Sequence, residues 1–172
     1  MIYTKTGDNG MTSLFNNSRH SKSEMVFEVL GTIDELNSTL GFIHIYKHKE
    51  VVNLTKQIQS DLFWLGGLIA GAELTVSELE QKTKDIEFEI DKYTSMLDPL
   101  TNFILPGGNI FSSYFMNSRA VCRRLERLLV RYKSNIYYIK YINRLSDLLF
   151  TLSRYSNKID GIGDHIWTTK SK

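Results

Sequence analysis

Apolar residues recur at helical spacing along most of this chain. Between Ser23 and Lys47, Val26, Val29, Leu30, Ile33, Leu36, Leu40 and Ile43 follow steps of three and four, which gathers them on one face of a helix. Gly31 and Gly41 weaken that pattern without breaking it. The segment Thr32 to Glu35 also matches a capping box, which offers a second helix start. The period already running from Val26 to Leu30 favours the earlier one. A second helix is predicted from Val51 to Ala72 on Leu54, Ile58, Leu62, Leu65 and Ile69, with "LGGLIAG" as its weakest part. A third begins after Thr75 or Ser77 and carries Leu79, Ile86, Ile90, Tyr93 and Leu97. It ends near Asp98, because the residue before Pro99 is pushed out of helical geometry. The fourth runs from Ile110 to about Tyr132 and the fifth from Tyr137 to about Ser156. Short connections between five such helices predict an all-α, up-and-down bundle. Residues 1–22 precede the bundle (23–156) as a loop, and 157–172 follow it as a tail beyond a helix stop at Gly161.

Composition sets limits on this picture. With 172 residues and 42% hydrophobic content, the chain can bury the core of one domain. A net charge of +2 argues against a dedicated nucleic-acid binder, whose basic residues would dominate one surface. The single cysteine, Cys122, cannot form an intramolecular disulfide and fits a reducing compartment. No apolar run reaches the roughly 18 residues that a membrane span needs. The opening "MIYTKTG" has no signal-peptide core. The expectation is a soluble, cytoplasmic protein with no membrane partner.

Polar residues then interrupt what would otherwise be plain helices. In "SRAVCRRLERLL" of the fourth helix, Arg119, Arg123 and Glu126 fall within roughly 60° of one another, opposite Val121, Leu125 and Leu128. Two arginines one turn apart make a fork for polyphosphate. The alternative is a solvated face with an Arg123–Glu126 pair at spacing three. In the fifth helix, Asn143, Asp147 and Arg154 share a side, with Arg144 flanking. Asparagine is a modest helix former, so Asn143 in mid-helix suggests a hydrogen-bonding task. "FILPGGN" reads as a tight turn with Asn109 as N-cap. Its glycines would equally let backbone approach a ligand while Phe103 packs on it. His44 and His48 lack the further ligand a metal site requires. Cys122 reads as a small buried hydrophobe.

The first residues, "IYTKTGDNGMTSLFNNSRHSK", are harder to place. Asp8-Asn9-Gly10 is a hairpin signal, with Ile2–Thr6 and Met11–Phe15 as short arms. A helical bundle offers no sheet for a hairpin to join, and an isolated hairpin is marginal in water. A loop folded against the bundle and a ligand is the expected solution. No GxxxxGK[ST] element is present.

Together "YTKTGDNGMTSLF", Lys22, "GTIDELNSTLGF", "FILPGG", "SRAVCRRLER" and "YINRLSDLLFTLSRY" resemble the PduO-type ATP:cob(I)alamin adenosyltransferases, in order and over almost the whole chain. The resemblance implies a ferritin-like five-helix bundle with an N-terminal nucleotide-binding loop, assembled as a homotrimer with active sites between subunits. It implies transfer of the 5′-deoxyadenosyl group of ATP to the cobalt of cob(I)alamin, with Mg²⁺ accompanying the nucleotide. By the same resemblance Thr4, Lys5, Thr6, Gly7, Thr12, Ser13 and Lys22 would wrap the triphosphate. Arg119 and Arg123 would hold phosphate oxygens, and Arg124, Arg127 and Asn143 would also contact the nucleotide. Glu126 would order the nucleotide and its Mg²⁺. Asp34 would pair with Arg119 across the subunit boundary, and Phe103 would pack under the corrin ring. A cobalamin reductase and an adenosylcobalamin-dependent enzyme are the further partners it implies.

The chemistry is compatible with this set. Co(I) is itself the nucleophile, so no Ser, Cys or His is needed in that role. The protein must position C5′ and stabilise charge on the leaving triphosphate. Two places depart from the family pattern: Asn16-Asn17, where glycines are common, and Asn109, where a smaller residue is common. A non-catalytic ATP- or cobalamin-binding carrier and a purely structural bundle are the competing classes.

Overall fold

The computed structural model describes residues 2–15 and 17–168, so Asn16 lies outside the described residues. Five α-helices form the body: α1 (Met25–Leu40), α2 (Lys49–Ile69), α3 (Val76–Thr94), α4 (Ile110–Arg131) and α5 (Ile136–Ile159). α5 is the central post, lying along α4 and against α3, while α1 packs on α4 and α2. Leu36, Leu62, Leu65, Leu125, Leu145 and Leu149 are fully buried between them. These are the positions that the three-and-four spacing selects. Asparagines cap the two helices that carry the polar faces. Asn109 Oδ1 accepts from Ser112 N at 2.6 Å, and Asn135 Oδ1 accepts from Tyr137 N at 3.0 Å.

Several boundaries differ from the sequence expectation: α2 ends at Ile69 rather than Ala72, and α3 ends at Thr94, short of Asp98 and Pro99. The first helix closes at Leu40 and tightens into a 3-10 turn over Gly41–Ile45. The capping-box start at Thr32 is not used, since α1 runs through it and the Thr32 hydroxyl donates back to Glu28 O at 2.7 Å. α5 continues past Ser156 to Ile159, and Gly161, at φ +71°, ends the run.

The larger correction is at the start. A two-stranded antiparallel hairpin does form, but it pairs β1 (Met11–Ser13) with β2 (Arg19–Ser21). Asp8-Asn9-Gly10 is only the bend leading into β1, with Gly10 at φ +78°. The ribbon needs no larger sheet because it leans on helices. Phe15 N donates to Ala70 O at 3.2 Å, Leu14 packs on the core, and the His20 ring lies 6.2 Å from that of Phe27.

Candidate functional site

α4 turns Val121, Leu125 and Leu128 into the core, which leaves Arg119 half-buried and Arg123 exposed on the other side. The Arg119 guanidinium carbon sits 5.4 Å from the centroid of the Phe150 ring on α5, a cation–π contact that holds the head extended. Neither Arg119 nor Arg123 has a carboxylate within 4.0 Å among the described residues. Their neighbours do. Arg124 donates to Glu35 on α1, Arg144 to Glu87 on α3 at 2.9 Å, and Arg154 to Asp164 at 2.8 Å. Arg127 is turned back along its own helix, donating to Arg123 O at 2.9 Å.

The bland explanation of this face, an Arg123–Glu126 pair, does not occur. Glu126 Oε1 instead accepts from Asn143 Nδ2 at 2.9 Å, which gives the mid-helix asparagine its task. Arg154, placed by helical spacing on the side of Asn143 and Asp147, is buried and works elsewhere. Its guanidinium ties Asp164 of the tail and the Asp98 carbonyl together, the latter at 2.8 Å.

The N-terminal loop is held by basic side chains that clasp its own carbonyls. Lys22 Nζ donates to Gly7 O and Arg19 Nη2 to Thr6 O, each at 2.9 Å. The Thr4 and Thr6 hydroxyls share a hydrogen bond of 2.9 Å. Lys5 adopts φ +59°, and Thr12 and Ser13 lie on β1. A Cβ on Gly7 would stand 3.0 Å from Lys22 Nζ and 3.3 Å from Met11 O, so the glycine admits the lysine. Lys5 and Lys22 also lack a carboxylate within 4.0 Å among the described residues.

Within one chain the loop and the arginine face stay apart. No hydrogen bond or ion pair joins residues 2–22 to α4 or α5 among the described residues; the loop rests on α1 and α2. Asp34 faces outward on α1 and lines a groove of about 300 Å³ with Phe15, Ile33, Leu62 and Phe63. It makes no ion pair with Arg119 inside the chain.

Phe103 projects from the connection before α4 and is 81% exposed. With Leu100, Asn102 and Trp167 it lines an open concavity of about 650 Å³. The tail forms one wall by pairing with this connection: Trp167 N donates to Phe103 O at 2.8 Å, and Leu105 N to His165 O at 2.7 Å. Gly107 and Gly108 do not face this hollow with free backbone. A Cβ on Gly108 would fall 2.1 Å from Asn157 Oδ1. That side chain stitches the turn, donating to Gly107 O at 3.0 Å and accepting from Asn109 N at 2.9 Å. At Gly108 the turn accounts for the glycine, whereas a Cβ on Gly107 would meet nothing within 4 Å. Asn109 Nδ2 points to Ser156 O and Asp160 Oδ2, both at 2.7 Å, so its departure from the family pattern serves the helix junction.

Cys122 is fully buried and its thiol donates to Ile142 O at 3.2 Å; burial, above all, pushes the thiol pKa well up. His44 meets Gln59 at 2.6 Å and His48 heads α2, so the two do not share a helix face. Sequence reasoning missed Asn157, Phe150 and Trp167. The aromatic in "GIGDHIW" is a signal, but the segment it pairs with lies some sixty residues away in the chain.

The sequence matches the cobalamin adenosyltransferase family over residues 2–156. It is 40% identical to the corrinoid adenosyltransferase MMAB of Bos taurus, covering 96% of this chain and 75% of that one. A corrinoid adenosyltransferase of Citrobacter freundii is 36% identical over 89% of this chain and 93% of its own. A variant of the PduO-type ATP:corrinoid adenosyltransferase from Lactobacillus reuteri, solved with cobalamin and ATP, superposes with a TM-score of 0.91. The two are 32% identical, with 100% of this chain and 98% of that one covered. The chain belongs to the cobalamin adenosyltransferase family.

Proposed function

We propose that this protein transfers the 5′-deoxyadenosyl group of ATP to the cobalt of a cob(I)alamin-type corrinoid. The electron pair of Co(I) forms the Co–C5′ bond as the C5′–O bond breaks, and triphosphate leaves with that bond's electrons. The observation that carries the reading is the pair Arg119 and Arg123, without a carboxylate partner among the described residues while Arg124 and Arg127 beside them on the same helix have protein acceptors. They supply cations for the oxygens on which charge develops. Lys5, Lys22 and the hydroxyls of Thr4, Thr6, Thr12 and Ser13 close on the triphosphate from the other side. Lys22 exchanges Gly7 O for a phosphate oxygen. Arg124 and Arg127 stand at the margin of the site, where Arg124's bond to Glu35 steadies α4 against α1.

Because loop and arginine face do not meet within one chain, the site is completed by a second copy, and a closed trimer supplies three such junctions. The groove beside Asp34, flanked by exposed Phe15 and Phe63, is the face that receives the neighbour's Arg119. Mg²⁺ fits the donor set only as a companion of the nucleotide. Glu126 is the carboxylate at this place, and no group of three or more metal-binding side chains exists among the described residues. Mg²⁺ is commonly held by one or two carboxylates together with substrate phosphates. When bound it neutralises part of the triphosphate charge. Phe103, exposed over the 650 Å³ hollow, offers the corrin an apolar face that excludes water and a lower axial ligand. A reducing reaction must supply Co(I), and an adenosylcobalamin-dependent reaction consumes the product.

Incubation with ATP, Mg²⁺ and chemically reduced cobalamin without oxygen tests this directly. The visible spectrum is expected to shift to that of an alkylcobalamin, whereas persistence of the Co(I) spectrum would leave only a carrier. Arg123→Ala should lower kcat by about two to three orders of magnitude in a folded protein. Asp34→Asn should weaken both assembly, followed by light scattering, and turnover; unchanged assembly removes the cross-subunit pairing.

A further inference from the structure

Arg144 carries none of the roles assigned above, yet its guanidinium spans two elements. Nε donates to Glu87 Oε1 on α3 at 2.9 Å. Nη1 donates to Asn143 Oδ1 at 2.9 Å and lies 3.7 Å from Asp147 Oδ2. Asn143 passes the arrangement on, donating from Nδ2 to Glu126 Oε1 at 2.9 Å. A carboxamide has one acceptor end and one donor end. Here a cation holds the acceptor end and a carboxylate takes the donor end. Reversing the amide would press NH₂ against the guanidinium and a carbonyl oxygen against the carboxylate, replacing two charge-assisted bonds with two repulsions. The run Glu87–Arg144–Asn143–Glu126 is thus polar in one direction, anchored on α3 and ending at the arginine face.

We infer that Arg144 is a positioning residue for the nucleotide: braced on Glu87, it fixes the Asn143 amide so that Glu126 is held and the second N–H of Nδ2 is left for ATP. This rests on the assignment of Asn143 and Glu126 to the ATP site. A role exerted only through Asn143 has a signature that general stabilisation lacks, because its effect vanishes once Asn143 is gone.

The test is a double-mutant cycle on the full chain with Arg144→Met, Asn143→Ala and the pair. Arg144→Met is expected to raise KM for ATP about tenfold, the scale of one charge-assisted hydrogen bond. KM for the corrinoid and the melting temperature should stay close to wild type. Adding Arg144→Met to Asn143→Ala should change KM for ATP less than about twofold. Arg144→Lys, which keeps the charge but loses the fork, should recover only part of the affinity. A further tenfold rise in the Asn143→Ala background, or equal rises in both KM values, overturns the inference. If Arg144→Met does not fold, Glu87→Gln takes its place in the cycle under the same criteria. Calorimetric ATP binding to the same proteins gives the comparison without turnover, so an idle Arg144 and an absent transferase activity are told apart.

Discussion

Two glycine-bearing loops face opposite fates in this molecule. The Gly107-Gly108 turn is locked from within: Asn157 fills the space where a Cβ of Gly108 would stand and bonds the backbone on either side. The Gly7–Gly10 loop keeps backbone bonds from Gly10 N to Gly7 O and from Lys22 N to Gly10 O, but the side chains that clasp it are exposed cations on carbonyls, Lys22 on Gly7 and Arg19 on Thr6. Bonds of that kind, open to solvent, exchange readily for a better acceptor. Glycine in the first loop makes room for a fixed neighbour, and in the second for a lysine that can leave. The same residue type therefore marks a locked joint in one place and a loosely clasped loop in the other, which suits the ATP-binding role proposed for it, and what separates them is the partner that fills the gap.

Substitutions can break this contrast. Gly108→Ala should do most damage, since it combines φ +110° with the collision on Asn157; a loss of about 3 kcal/mol in denaturant unfolding is expected. Stability near wild type would mean that the turn is not locked. Lys22→Ala should leave unfolding unchanged and raise KM for ATP about tenfold, the cost of one charged contact. A large fall in melting temperature instead would make the loop's clasp structural. Gly7→Ala should act in the same direction but more weakly, because the displaced atom is the tip of a flexible lysine.

The smallest effect concerns pH at the locked joint. Asp160 has its pKa lowered from the usual 3.8, first by its bond to Lys47, then by Asn109, with burial opposing. A carboxylate with a depressed folded-state pKa stabilises above its unfolded value and loses that contribution as pH falls through the folded one. Wild-type stability should therefore decline below about pH 4, and the Asp160→Asn curve should be flatter there. Identical curves for the two proteins would remove Asp160 from the joint.

The bundle is legible because helix faces repeat: most stripe positions from Val26 to Leu152 are buried, Leu30, Leu54 and Ile90 pack half-buried against the core, and Leu97 falls beyond its helix. What escaped was pairing at a distance. The hairpin that forms is not the one across Asp8-Asn9-Gly10: it pairs Met11–Ser13 with Arg19–Ser21, and α1 and the end of α2 support it through Phe27 and Ala70. In the candidate site, the arginines and Asn143 stood out as polar residues on helices, and Asn143 found the partner that its odd position foretold. Which arginines are unpaired could not be read locally, because Glu35 and Glu87 reach Arg124 and Arg144 from other helices. Nor does spacing reveal that Arg154 is a tether rather than part of the open face.

The pairing of Phe103 and Leu105 with His165 and Trp167 has a consequence for the order in which the protein is made. Synthesis runs from the N-terminus, and domains begin to fold as they emerge. All five helices can be assembled while the segment presenting Phe103 still lacks the tail residues that bond to it. That edge is completed only when Trp167 has followed the five helices out of the ribosome, so the hollow beside Phe103 takes shape after the bundle that carries it.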